Sequence, residues 1–171
     1  MSKSKDKYEV VDNFLDNGHF EEITQTLFNH SFPWFYNKTK VFDDEEQNLN
    51  NFQFSHIFYS NYKVNSNFFN LLNPIIEKLG PISIAKIKAN MTMRTEDIFE
   101  YEYHTDYVTN TNLKTAVFYL NTNNGYTKFK DGDSVDSIEN RMLIFDSQML
   151  HTGTSCTDQR FRSVINFNFY A

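Results

Sequence analysis

The chain has 171 residues, a formal net charge of −6, a single cysteine, and a heavy aromatic load of 18 Phe and 10 Tyr. That length suits one domain with a proper core, and the aromatic load suits a β-rich fold with a wide interior. The acidity argues against non-specific binding to nucleic acid or an anionic membrane, and the lone Cys156 rules out an intrachain disulfide and a thiolate metal cage.

Residues 1–7 are polar and read as a loose tail without a signal-peptide apolar region. No run is long enough to span a bilayer, so the expectation is a soluble, cytoplasmic protein. Phe20, Ile23, Leu27 and Phe28 form one stripe at helical spacing and predict a first helix, led in by residues 10–15. Residues 29–37, with Pro33, Trp34, Phe35 and Tyr36, read as an aromatic loop or short edge segment, with packing the default role for Trp34. The acidic run 43–46 and the Asn-rich stretch after it read as a solvated connection. A second helix is predicted over 67–78, kinked or restarted at Pro74 and stopped by Gly80-Pro81.

From Ile82 the texture changes to short alternating runs broken by turn residues. Strands are predicted over 82–92, 99–104, 113–120, 126–129, 134–138, 141–145 and 161–170. The expected fold is α+β and mainly β: a jelly-roll, cupin-like core over 82–171, buttressed by the tail and helices of 1–81, all in one domain.

His104 and Asp106 stand one residue apart near the end of the predicted strand 99–104, so both project from one face. His151 follows the strand 141–145 and completes a set of two histidines and one carboxylate. That set leaves three metal positions open and is the usual ligand field of non-heme Fe(II) oxygenases; a structural zinc site would close its shell. His19, His30 and His56 sit in predicted helix or loop contexts without a partner at ligand spacing, and read as surface or core-edge histidines. Arg160 and Arg162 share a face of the predicted last strand with Val164, Asn166 and Asn168. An arginine pointing into a barrel is costly unless it meets an anion, so one of the two is a candidate anchor for a dicarboxylate. Asn166 and Asn168 are expected to line the pocket, Cys156 to be a small packed residue, and the loops 94–97 and 107–112 to carry substrate contacts.

His104-x-Asp106, His151, and Arg162 followed by Ser-Val-Ile-Asn-Phe resemble the Fe(II)- and 2-oxoglutarate-dependent dioxygenases of the prolyl-4-hydroxylase-like branch. The resemblance runs from Ile82 to the end and takes in Thr115-Ala-Val-Phe-Tyr119, Gly125-Tyr-Thr-Lys-Phe129 and Asn140-Arg-Met-Leu-Ile-Phe145. It implies His104, Asp106 and His151 as iron ligands and catalytic residues. It implies Arg162 as partner of the distal carboxylate of 2-oxoglutarate, with Tyr119 donating to that carboxylate and Arg160 as the rival anchor. Thr92 stands where animal members carry a further tyrosine.

The implied reaction couples oxidative decarboxylation of 2-oxoglutarate by O2 to substrate hydroxylation, a prolyl residue being one candidate and ascorbate the candidate reductant. The carboxylate of Asp106 favours hydroxylation over the chlorination of related halogenases, which lack it. The partners expected are a small-molecule or peptide substrate, with no nucleic acid, no membrane and no assigned oligomeric state. A mononuclear metal hydrolase with the same ligands and a cupin-like metal-binding module without turnover are the alternatives.

Overall fold

The computed structural model describes residues 7–38, 40, 49–107 and 112–171. The acidic run 43–46, most of the loop 107–112 and all but Lys7 of the tail lie outside the described residues.

Eleven strands are described: β1 Tyr8–Val11, β2 Phe35–Asn37, β3 Gln53–Ser60, β4 Lys63–Val64, β5 Ser83–Met93, β6 Leu113–Tyr119, β7 Tyr126–Phe129, β8 Ser134–Asp136, β9 Met142–Asp146, β10 His151–Gly153 and β11 Phe161–Tyr170. The larger sheet runs β1-β9-β6-β11-β5-β3-β2, with β4 on β3; the smaller runs β10-β7-β8. Every pairing is antiparallel. The two sheets form a jelly roll.

The expected helices are present. Helix α1, Asn17–Leu27, starts at Asp16, whose carboxylate accepts from the His19 amide, and it buries Ile23 and Leu27. The second predicted helix is broken where Pro74 demanded it. A 3-10 turn, Phe69–Leu72, precedes helix α2, Asn73–Leu79, which has Pro74 in its first turn and Gly80 in the left-handed region (φ 58°) as its C-cap.

Strand alternation sorts two cores. On β6, Ala116 and Phe118 face the helices with Ile165 and Phe167 of β11, Met142 of β9, and Ile23, Leu27 and Ile75. The other face, Val117 and Tyr119 with Leu143, Phe145 and Val164, packs on Phe129 and Val135 between the sheets. A polar gap lies along β5 and β11, where inward positions include amides, lysines and an arginine.

Three expectations change. The first 81 residues supply β1 to β4 as well as helices, so Ile82 does not separate support from sheet: β1 extends the large sheet beside β9, and β3 flanks β5. The segment 99–104 is no continuous strand; only Glu100↔Thr154 and His104↔His151 form bridges. Strand β11 begins at Phe161, so Arg160 falls outside it and is exposed.

Asn140 ties the N-terminal lead-in to the sheet. It sits at φ 58°, its side chain accepts from the Leu15 amide and donates to the Leu15 carbonyl, both at 2.8 Å, and its own carbonyl accepts from Phe14. Asn140→Ala leaves two buried backbone groups unpaired and puts alanine, which tolerates the left-handed region less well than asparagine, at φ 58°. The expected loss is about 2–4 kcal/mol in urea unfolding.

Candidate active site

His104 and His151 exchange both backbone hydrogen bonds, each 3.0 Å long, across an isolated bridge. That pairing sets the two imidazoles side by side, with ring centroids 4.6 Å apart. Each Nδ1 faces a carbonyl two residues earlier, Glu102 at 3.2 Å and Met149 at 2.9 Å. A proton held at Nδ1 leaves the Nε2 lone pair free, the tautomer a metal requires. Burial holds the His151 imidazole below its usual pKa, which keeps it neutral.

Asp106 arrives two residues after His104 and is steadied by its amide donating to Ser147 O at 3.2 Å. Its Oδ2 accepts from the Thr115 hydroxyl (2.6 Å) and the Asn168 amide (2.8 Å), so it is fully engaged on the far side. Its Oδ1 lies 3.8 Å from His104 Nε2 and 4.0 Å from His151 Nε2. The three donor atoms lie within 4.8 Å of one another, the sole such His, Cys, Asp and Glu group among the described residues. Two neutral nitrogens and one oxygen, with locked tautomer and pinned carboxylate, fit one first-row divalent metal with open positions.

Thr115→Val would free Asp106 Oδ2 from its shortest partner and cost Ser147 Oγ its bond to Thr115 Oγ1, leaving Asn168 bonded to Asp106 alone. Metal affinity should fall roughly 10–100-fold in a competition titration. The fold should lose about 1–3 kcal/mol in the same protein's unfolding curve.

The cluster opens into a cavity of about 370 Å³ between β5, β11 and the small sheet. Arg162 lines the same cavity, is only 5 % exposed and has no carboxylate partner among the described residues. Its Nε donates to Ser137 Oγ at 2.7 Å and its Nη2 to Thr127 Oγ1 at 3.1 Å. Both partners are neutral hydroxyls, and burial lowers the proton affinity of the guanidinium. Such a cation fits an anionic ligand. Two glycines make its space: a β-carbon on Gly125 would stand 2.5 Å from Ser155 O and 2.8 Å from Arg162 Cδ, and one on Gly153 would stand 3.3 Å from Nη1.

No protein-family model matches the sequence, and no curated protein matches it. Solved structures do match. A prolyl hydroxylase from Trichoplax adhaerens, in complex with a hypoxia-inducible-factor oxygen degradation domain peptide, superposes with TM-score 0.66 at 13 % identity, over 95 % of this chain and 83 % of that one. The viral collagen prolyl hydroxylase of Paramecium Bursaria Chlorella virus-1, a 2-oxoglutarate complex, gives 0.59 at 12 % identity over 96 % of both chains. HygX of Streptomyces hygroscopicus, with nickel, 2-oxoglutarate and hygromycin B bound, gives 0.62 at 8 % identity over 96 % of this chain and 82 % of that one.

The fold is the jelly roll that these solved structures share.

In this fold, His104, Asp106, His151 and Arg162 converge on one cavity, although 47 residues separate the two histidines. Arg160 is exposed, and its carbonyl accepts from the Arg94 amide. Tyr119 is fully buried but stands behind the cavity wall: its hydroxyl donates to Thr127 Oγ1 at 2.8 Å, and its ring lies 5.6 Å from the Arg162 guanidinium carbon. Thr92 pairs with Arg162 in register and lines the cavity. His56 lies in β3, with both ring nitrogens bonded, to Pro33 O and Ser66 Oγ. His19 does have an acid partner, Asp16 at 2.5 Å, but the pair is exposed at the start of α1. Trp34 packs on Phe32 and donates to Leu27 O, and Cys156 is buried.

Asn166 and Asn168 line the cavity as expected, but several residues of the site were not anticipated. Thr115 joins Asn168 in holding Asp106, and Thr127 and Ser137 hold Arg162. Lys40, Lys86 and Lys88 also line the cavity, with the Lys40 ammonium 3.4 Å over the Tyr101 ring. Burial brings Lys88 down to about 8 and pushes Lys40 well below the usual lysine range. For Thr115 and Asn168 the signal was present in the inward period-two rows of β6 and β11.

Proposed function

We propose that this chain is an Fe(II)- and 2-oxoglutarate-dependent hydroxylase, with His104, Asp106 and His151 as its iron ligands and Arg162 as anchor of the distal carboxylate of 2-oxoglutarate. One observation carries the reading: a three-donor cluster with locked tautomers shares a cavity with a buried arginine that lacks a carboxylate partner. Structural likeness to proteins described with 2-oxoglutarate, peptide or antibiotic ligands supports the cosubstrate. It leaves prolyl residues and small molecules as the substrate candidates.

When bound, iron supplies the capacity to activate O2, and 2-oxoglutarate supplies two electrons through its conversion to succinate and CO2. The chain's own work is positioning. His104 and His151 present Nε2 because Glu102 and Met149 carbonyls hold the Nδ1 protons. Asp106 offers Oδ1 because Thr115 and Asn168 occupy Oδ2. Thr127 and Ser137 orient the Arg162 fork, and Tyr119 orients Thr127, so Arg162 Nη1 is left to meet a carboxylate bidentately with Nη2. Val117, Val164 and Thr92 line the cavity between these groups and help exclude water.

Incubation with Fe(II), ascorbate, 2-oxoglutarate and O2 should yield succinate even without prime substrate, at the slow uncoupled rate. Removal of the metal with a chelator should stop it. No succinate under these conditions would contradict the reading; it would favour a hydrolase or a metal-binding module.

A further inference from the structure

The cavity carries far more positive charge than a metal ligand set and one dicarboxylate require. Four basic side chains line it, Lys40, Lys86, Lys88 and Arg162, against the single carboxylate of Asp106; with Lys40 set aside, because burial disfavours its charged form, Lys86, Lys88 and Arg162 still outnumber that carboxylate. An Fe(II) ion and a 2-oxoglutarate dianion cancel each other, so that excess persists in the loaded site. It does so in a chain whose overall charge is −6. General basicity therefore does not explain it.

Strand register separates two of these cations from the arginine. Across the β5–β11 pair, Arg162 stands opposite Thr92, Asn166 opposite Lys88, and Asn168 opposite Lys86. At ~3.3 Å per residue, Lys88 and Lys86 lie about 13 and 20 Å along β5 from the Arg162 position. They stand at the end where Asn168 holds Asp106, beyond the reach expected of a carboxylate gripped by Arg162. Neither lysine has a hydrogen-bond or ion-pair partner among the described residues. Between them and the arginine, Asn90 Oδ1 and Asn166 Oδ1 are buried without partners. Unpaired buried amide oxygens are costly, and with two half-buried, unpartnered ammonium groups on the same cavity wall they call for a ligand.

We infer that the substrate oxidised here is a small anion, a carboxylate or phosphate ester, whose negative group is held by Lys86 and Lys88 at the metal end of the cavity, with Asn90 and Asn166 bonding its polar body. This rests on the oxygenase reading above for which end of the cavity is catalytic. The cavity's size, near the lower limit of ~300–1,000 Å³ for ligand sites, suits a small molecule. An uncharged prolyl segment would leave both ammonium groups unanswered.

The test titrates the full chain, with 2-oxoglutarate in excess, with inorganic phosphate and separately with L-aspartate, followed by calorimetry; succinamide, which carries no carboxylate, is the neutral control. At least one anion should bind and succinamide should not. Phosphate binding alone would indicate a phosphate ester, and L-aspartate binding alone a carboxylate. Lys86→Gln with Lys88→Gln should weaken binding about tenfold or more, whereas Lys86→Arg with Lys88→Arg should retain it, which separates charge from packing. Lys7→Gln, just before the edge strand β1 and paired with Asp131 away from the cavity, should leave anion binding unchanged. Absence of binding by either anion, or equal binding by the double glutamine variant, would overturn the inference. Succinate formation is scored separately on the unaltered chain. Lysine-dependent anion binding without succinate supports the anion site and sinks the oxygenase reading, while succinate without anion binding does the reverse.

Discussion

Arg162→Met should raise the 2-oxoglutarate concentration needed for half-maximal succinate release by about 100-fold or more and leave the fold at least as stable. The two halves of this result come from one fact. The guanidinium is almost fully buried and meets only neutral hydroxyls, Ser137 and Thr127, so without an anion its desolvation is poorly compensated. Methionine fills similar space with no charge to desolvate, so the melting temperature should hold or rise. The ligand, however, loses its only buried bidentate donor. Arg160→Ala is the matched control. Its side chain is exposed and outside β11, so neither KM nor melting temperature should move. A large KM effect at Arg160 with none at Arg162 would transfer the anchor to the exposed residue.

Asp106→Asn should abolish turnover and weaken Fe(II) binding by at least about 100-fold while the protein stays folded. The present Oδ2 accepts from both Thr115 and Asn168, two donors on one side. An asparagine satisfies them by turning its carbonyl oxygen that way, which presents an NH2 group to the two Nε2 atoms. An amide NH2 has no lone pair to give a metal. The substitution is nearly isosteric, so loss of metal with an unchanged melting curve isolates the ligand role. Retained iron affinity would mean that Asp106 does not coordinate.

Much of the site was legible because its signals are local. His-x-Asp is a two-residue motif, and the row Arg162, Val164, Asn166, Asn168 is a plain strand alternation. What failed was context beyond a single strand. The run 99–104 alternates aromatic and polar residues like a strand, yet it forms bridges only at Glu100 and His104, so it remains an irregular rim segment. Strand β3 was missed because both of its faces carry polar residues: Gln53 turns to the polar gap, Ser55 is buried and accepts from Asn37, and His56 is buried among Phe32, Phe58 and Phe68. Lys86 and Lys88 alternate with buried Ile87 and Ala89, a pattern that normally marks a solvated face. Only the second sheet turns that face into a cavity wall. Tyr119 entered through the family resemblance, and neither that nor period two can say that Thr127 would line the cavity and take its hydroxyl bond.

The most direct measurement is an anaerobic titration of the metal-free protein with Fe(II) and 2-oxoglutarate, followed by visible absorbance. A weak charge-transfer band should develop only when both are present, at one equivalent of iron. It should be absent in Asp106→Asn and should require far more 2-oxoglutarate in Arg162→Met. Iron that binds without ever yielding that band, at saturating 2-oxoglutarate, would contradict a cavity built to hold the two together.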